Sequence, residues 1–483
     1  MTHTSKCIVK FPAVVLSVCG VLTSAAQGQC EIAKLLDADG QEYDGFGGSV
    51  AVSGDVAIVG AASDDDLGEK AGSAFIFRFD TVTSQWTQEA KLLASDGAKR
   101  DRFGYSVTIE NELAIIGAIG SDDKGLSSGA VYVFRYDGLT WVEDVKIFAS
   151  DGGAYDGFGV AVDISGDRFI VSAPGDSDEC PACGSAYIFR FDADRLLWTE
   201  EGKVTASDAT YYVEGYDLFG WSVSISDEFA IVGKPRNTFP FPWGPGAAYI
   251  YHYDGKSWGG EVKLLPSNSD IGDMAGWSVA IDGDIAIFSA LVGHSAVIGS
   301  GTAHVFRYDH DSSRWVEEAM LADLQGNTED YFGSSVSLSG QTAIIGAKFD
   351  GDKDNGNNSG SAFIFDYDIK ASKWVQQAKL LASDGEAGDL LGWSAAIDGD
   401  VAILGAPGDD DSADGAGSAY VFDVAACVCP ADLDHDDSVG ILDLFALLAA
   451  WGTNPGGPPD FDGDGNVGIL DLLTLLANWG LCP

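Results

Sequence analysis

The four residues Asp44-Gly45-Phe46-Gly47 return, with small changes, as Asp101-Arg102-Phe103-Gly104, Asp156-Gly157-Phe158-Gly159, Asp217-Leu218-Phe219-Gly220 and Asp330-Tyr331-Phe332-Gly333. Two weaker copies, Asp273-Met274-Ala275-Gly276 and Asp389-Leu390-Leu391-Gly392, complete a set of seven spaced 55 to 61 residues apart. A period this long matches a propeller blade and exceeds most solenoid repeats. The first copy reads as four short strands: Ser49 to Ser53 alternates, Val56 to Ala61 is small and apolar throughout, Ser73 to Phe79 alternates with aromatics, and Trp86 to Ala94 mixes charge with leucine. Four strands per unit make a blade, and seven units predict an all-β, seven-bladed β-propeller over residues 30–426.

The ends of the repeat region predict how the ring closes. Glu31 to Leu36 matches a fourth strand, compare Glu89-Ala90-Lys91-Leu92-Leu93, with no first three strands before it. The seventh copy leaves the pattern after Gly417-Ser418-Ala419-Tyr420-Val421-Phe422, with no fourth strand of its own. The N-terminal strand is therefore expected to complete the last blade and remove the open edges of a linear array.

Phe46-Gly47 with Gly60-Ala61, Phe103-Gly104 with Gly117-Ala118, and Gly405-Ala406-Pro407 resemble the FG-GAP repeat of integrin α-chain propellers and of many exported bacterial proteins. In the integrin-type repeat an aspartate-rich calcium loop commonly lies between FG and GAP. Here that interval holds only tight turns such as Ser53-Gly54-Asp55 and Asp282-Gly283-Asp284, so the family's calcium sites are not expected in these blades.

A different pattern occupies residues 429–483. Two twelve-residue loops, Asp432 to Asp443 and Asp460 to Asp471, each lead into a short apolar helix. Calcium takes six to eight hard oxygens, and carboxylates at loop positions 1, 3, 5 and 12 with a carbonyl at 7 supply them. The expected ligands are Asp432, Asp434, Asp436, Ser438 and Asp443 in the first loop, and Asp460, Asp462, Asp464, Asn466 and Asp471 in the second. The duplicated unit, Asp443 to Trp451 against Asp471 to Trp479, resembles a type I dockerin, which implies a small α-helical calcium-binding domain and a cohesin-like partner. Gly440 and Gly468 depart from the usual oxygen ligand at position 9, and Asp437 replaces the turn glycine. Ile441-Leu442 and Ile469-Leu470 stand where dockerins often carry polar recognition residues, so any partner would differ in specificity. The other reading is a calcium-stabilised terminal module with no partner.

Residues 1–28 read as a signal peptide: Lys6 and Lys10, an apolar run from Phe11 to Leu22, then Ser24-Ala25-Ala26, with cleavage near Ala26 to Gln29. That run is shorter than the roughly 20 apolar residues a bilayer crossing needs, so a secreted or surface-associated chain without membrane insertion is expected. Loss of the two leader lysines takes the net charge from −47 to −49, a field that disfavours nucleic acid and favours cations. Six cysteines then remain, and an even number in an exported chain suggests disulfides. The closure scheme pairs Cys30 with Cys427, leaving Cys180 with Cys183 inside a loop and Cys429 with Cys482 bracketing the tail.

Alternating strand directions put the loops from second to third strand and from fourth strand to the next blade on one face. These loops carry Asp64-Asp65-Asp66, Asp122-Asp123, Asp350, Asp352, Asp354 and Asp409-Asp410-Asp411, making that face acidic and the expected place for a cation or a ligand. The seven repeated aspartates are expected to be turn residues accepting backbone hydrogen bonds. Blade four breaks the repeat there twice, at Thr210 to Tyr216 and at Lys234 to Trp243. Tyr212, Arg236, Phe241 and Trp243, with Trp221 and Trp277 just after their FG positions, form the candidate ligand site, for a glycan or a protein. The tryptophans that open each fourth strand read as packing residues, and His294 and His304 as structural. No nucleophile elbow, zinc motif or phosphate loop is present. Two functions stay open: a non-catalytic adhesion or glycan-binding propeller displayed through its tail, and a component of a polysaccharide-degrading complex, as hydrolase, lyase or accessory subunit.

Overall fold

The computed structural model describes residues 30–209, 217–235, 244–293, 299–323, 326–351 and 355–427, and in the tail 431, 433, 438–453, 459, 461 and 466–481. Seven four-stranded antiparallel sheets form the propeller. Blade 1 runs Ser49–Ser53, Val56–Ala61, Ser73–Asp80 and Gln85–Leu92, paired in that order. Every residue of Val56–Ala61 is buried, because a sheet is packed against each of its faces and only small or branched apolar side chains fit between them. The fourth strand is the most open to solvent, with Gln85 and Thr87 to Glu89 exposed, and carries the charges.

The first strands of successive blades touch around a closed ring, with Ser394–Asp398 of blade 7 meeting both Phe332–Ser339 of blade 6 and Ser49–Ser53 of blade 1. Closure follows the expected scheme. Glu31–Leu35 lies antiparallel to Ser418–Asp423, with Leu35 opposite Ala419, and becomes the outer strand of blade 7. Cys30 is bonded to Cys427 beside this junction, and Cys180 is bonded to Cys183. Cys429 and Cys482 lie outside the described residues.

Adjacent blades interlock through the glycines that define the repeat. Gly104 has φ +87°, and a Cβ on it would stand 2.0 Å from the Ser73 carbonyl oxygen of the preceding blade. A Cβ on Gly60 would stand 2.0 Å from the Gly104 carbonyl oxygen. The same contact closes the ring, where a Cβ on Gly405 would come within 1.9 Å of the Gly47 oxygen. Beside each contact the FG phenylalanine is sealed in; Phe46, Phe103 and Phe219 are wholly inaccessible. The Phe103 amide donates to the Ala71 carbonyl at 2.8 Å.

A second set of clasps joins the blades at the rim. Trp141, Trp258 and Trp374 donate their indole N–H groups to Glu89, Glu201 and Glu318 of the preceding blade at 2.9–3.0 Å. Trp86 and Trp198 have buried indole N–H groups without such an acceptor. At the matching positions the closing strand carries Ile32 and blade 2 carries the shorter Asp144.

The tail contains α1 (Val424–Cys427), α2 (Ile441–Ala449) and α3 (Ile469–Ala477), with a two-residue antiparallel pairing of Ser438–Val439 to Gly480–Leu481. Leu447 and Leu475 are fully buried between the helices, with Val439 and Val467. No helix among the described residues is long and apolar enough to cross a membrane.

The blade contact yields a test. Gly104→Ala forces a non-glycine residue into the left-handed region against a carbonyl that cannot withdraw, and is expected to cost about 3 kcal/mol or more. Gly138→Ala also faces positive φ but meets no atom within 4 Å, so it should cost clearly less. Denaturant unfolding of the two variants distinguishes steric interlocking from backbone preference alone.

Candidate functional site

The acidic face is built differently from a cation-binding surface. Each of Lys34, Lys91, Lys146, Lys203, Lys263 and Lys379 projects from a fourth strand into the aspartate loops. Lys91 lies 2.8 Å from both Asp64 and Asp66, 3.5 Å from Asp39 and 3.9 Å from Asp37. Lys203 lies 2.7–2.8 Å from Asp151, Asp176 and Asp178, and Lys146 lies 2.9 and 2.6 Å from Asp96 and Asp123. The ammonium groups thus sit where the loop carboxylates converge. Burial opposes the charge of Lys91, but the hydrogen bonds it donates to Asp64 and Asp66 outweigh it and raise its pKa.

The carboxylates of Asp37, Asp44 and Asp64 approach within 4.8 Å of one another, close enough to hold a metal, yet Lys91 is already among them. Lys91 thus supplies a counter-charge to these carboxylates from within the fold. Blade 5 carries Met320 in place of the lysine and Gly293 in place of the aspartate, whereas blades 2 and 4 keep Lys146 and Lys263 with Ser121 and Asn237 at the aspartate position.

The repeated aspartates are turn residues. Asp44 accepts from the Gln41 amide at 2.7 Å, Asp101 from Ala98 at 2.9 Å, and Asp156 from Gly153 at 2.6 Å. Burial pushes the carboxyls of Asp330 and Asp389 up to about 6 against these same backbone bonds, and that of Asp37 up to about 7. His304 is structural, held between Thr302 and Glu317.

The candidate ligand residues divide. Tyr212, Arg236, Phe241 and Trp243 lie outside the described residues. Trp221 and Trp277, from adjacent blades, pack together with ring centroids 5.0 Å apart. Trp221 follows Phe219-Gly220 and precedes the innermost strand Val223–Ser226, and Trp277 follows Ala275-Gly276 at the start of the innermost strand Ala275–Asp282, which places them at the mouth of the central channel. The same position in blade 7 is Trp393, 40% exposed. In blade 6 it is Ser334, and the space this small residue leaves between Trp277 and Trp393 is taken by Lys348. The Lys348 ammonium lies 3.9 Å from the Trp393 ring centroid, 5.5 Å from that of Phe349 and 5.8 Å from that of Trp277. Trp393 and Lys348 were not singled out from the sequence. The signal was present in Gly346-Ala347-Lys348, where Gly405-Ala406-Pro407 has proline.

In the tail, Asp443 and Asp471 are buried and play identical parts. Asp443 accepts from the amides of Leu433 and Gly440, and Asp471 from those of Phe461 and Gly468, all at 2.6 Å. Asn466 is exposed at its loop position, and Ser438 contributes backbone to the short strand. Asp432, Asp434, Asp436, Asp460, Asp462 and Asp464 lie outside the described residues. Outward from α2 point Ile441, Leu442, Phe445, Leu448 and, just beyond, Trp451. From α3 point the matching Ile469, Leu470, Leu473, Leu476 and Trp479, all exposed.

Seven closed four-stranded blades interlocked by FG and GA backbone define a propeller of the FG-GAP type. A model of the FG-GAP repeat matches residues 30–77, 86–134, 141–189, 198–251, 258–306, 315–365 and 374–422, and the chain belongs to that family. No curated protein sequence matches it. Among solved structures it is similar to "Crystal structure of RRP9 WD40 repeats", at 8% identity over 82% of this chain and 98% of that one, with a TM-score of 0.50. It is also similar to a chain of "Crystal Structure of Mitotic Checkpoint Complex", at 10% identity over 88% and 99%, with a TM-score of 0.46. The first likeness bears on the fold alone.

The lysine-filled loops are tested by a double-mutant cycle. Lys91→Met leaves several carboxylates crowded without their cation and should lower stability by about 2 kcal/mol or more. Adding Asp64→Gly, the combination blade 5 carries, should recover part of that loss, and strictly additive effects would contradict the coupling.

Proposed function

We propose that this chain is an exported, calcium-stabilised and non-catalytic binding protein whose propeller mouth takes a carbohydrate ring and whose tail docks it to a partner. The observation that carries the reading is the group of Trp221, Trp277 and Trp393 at the channel mouth. Indole faces held by a rigid scaffold suit the apolar face of a sugar, because large flat side chains bury area at little conformational cost. The acidic loops around them serve the fold, through their lysines, and not the ligand.

The tail reading rests on the paired loops and on the way Asp443 and Asp471 organise them, with calcium supplying the missing positive charge. A dockerin-like module of this kind presents the exposed faces of α2 and α3 to a cohesin-like receptor, and the apolar Ile-Leu pairs at both helix starts give that contact its specificity. The signal peptide places the protein in an oxidising, calcium-rich compartment consistent with its disulfides.

Two measurements test these assignments. Trp221→Ala with Trp277→Ala should reduce retention on immobilised polysaccharide at least about tenfold, a loss of about 1.4 kcal/mol, while melting shifts only a few degrees. Unchanged retention removes the mouth from the binding reading. Asp460→Ala with Asp471→Ala should abolish tight calcium binding by the second loop, and an unaltered calcium titration of the full chain would refute the tail assignment.

A further inference from the structure

Lys348 is the exception to the charge pattern of its own face. The fourth-strand lysines described above each reach at least one aspartate, and several reach three or four. Lys348 is only 8% exposed, and among the described residues its ammonium faces aromatic rings with no carboxylate partner. Burial alone lowers its pKa. The sequence holds 74 acidic residues against 27 lysines and arginines, so an ammonium with no acid among the described residues is a departure from what this chain supplies nearly everywhere else. Ring faces offset part of the cost of burying the charge, but they accept no strong hydrogen bonds of the kind an ammonium's N–H donors make to oxygen.

Resting on the reading of the mouth as a sugar site, we propose that Lys348 makes it selective for a carboxylated sugar of the uronate class, whose carboxylate supplies the absent counter-ion. The pyranose ring stacks on Trp277 or Trp393, and the carboxylate meets the ammonium between them, in a charge-assisted hydrogen bond that a neutral sugar cannot form. The net charge of −47 sets the size of the ligand. A long polyuronate would be repelled by the rest of the surface, so the fit is to a single uronate residue or a short chain bearing one at its end.

The test titrates the full-length protein with D-glucuronate and with D-glucose, read by calorimetry and tryptophan fluorescence, alongside Lys348→Met and Trp393→Ala. Glucuronate should bind at least tenfold more tightly than glucose. Lys348→Met should erase that preference while keeping the weaker glucose binding, and Lys348→Arg should retain it, which controls for disturbed packing. Trp393→Ala should weaken both sugars. Equal binding of the two sugars, or a preference that survives Lys348→Met, overturns the uronate assignment and leaves the sugar-binding mouth standing. Failure of both sugars to bind a correctly folded protein overturns the mouth reading itself, and the uronate assignment with it.

Discussion

The propeller depends on a contact in which two backbones pass with no side chain between them. Where the FG turn of one blade lies across the GA segment of the blade before, oxygen approaches α-carbon so closely that a single methyl would occupy the same space. At Gly60, Gly117 and Gly405 the approaching oxygen alone excludes alanine, and at Gly104 and its FG counterparts the positive φ excludes it as well. The neighbouring phenylalanine, or its Leu391 and Ala275 substitutes, is then pressed into the gap between two sheets and loses all contact with water. Spacing, twist and the burial of the second strands all follow from this one approach distance, repeated around the ring.

Charge is organised around the same junctions. A chain so acidic would be expected to recruit metal ions wherever its aspartates converge. Instead a lysine from each outer strand, in every blade but the fifth, reaches back into its own blade's aspartate loop or into the loop that precedes it, and ties the two together. Such pairs cost desolvation, and hydroxyls share in holding the loops, since Tyr187 lies within hydrogen-bond distance of Asp151 and Asp176 and Tyr420 of Asp384 and Asp409. Blade 5 abandons the lysine and the aspartate at once, while blades 2 and 4 keep the lysine with Ser121 and Asn237 at that aspartate position and pair it with Asp96 and Asp208 of the preceding loop.

Much of this was legible in the sequence because repetition averages out local ambiguity. Seven copies of a tetrapeptide gave the blade count, and the orphan strand at Glu31 with the missing one after Phe422 gave the closure, including the Cys30–Cys427 bond. The repeated aspartate also read correctly, since a carboxylate three residues after an amide is a local matter. What escaped were relations between residues distant along the chain. Lys91 and Asp39 are far apart in sequence, and nothing in either strand says that the ammonium will fill the acidic loops. The mouth was half visible, because Trp221 and Trp277 follow intact or nearly intact FG motifs. Trp393 follows the degenerate Leu391-Gly392, and Lys348 matters only because Ser334 is small enough to let it through.

The disulfide beside the closing strand also bears on how the molecule carries force. Glu31–Leu35 and Ser418–Asp423 are joined at the same end, where the Asp423 amide donates to the Cys30 carbonyl and Cys30 is bonded to Cys427. Tension applied through residues beyond 427 therefore pulls on both strands at once. An antiparallel pair gripped on one side only would unzip bond by bond, whereas this pair moves as a unit and hands the load to the whole sheet of blade 7. Load on the segment beyond 427 is thus carried across the one seam of the ring that the backbone itself does not span.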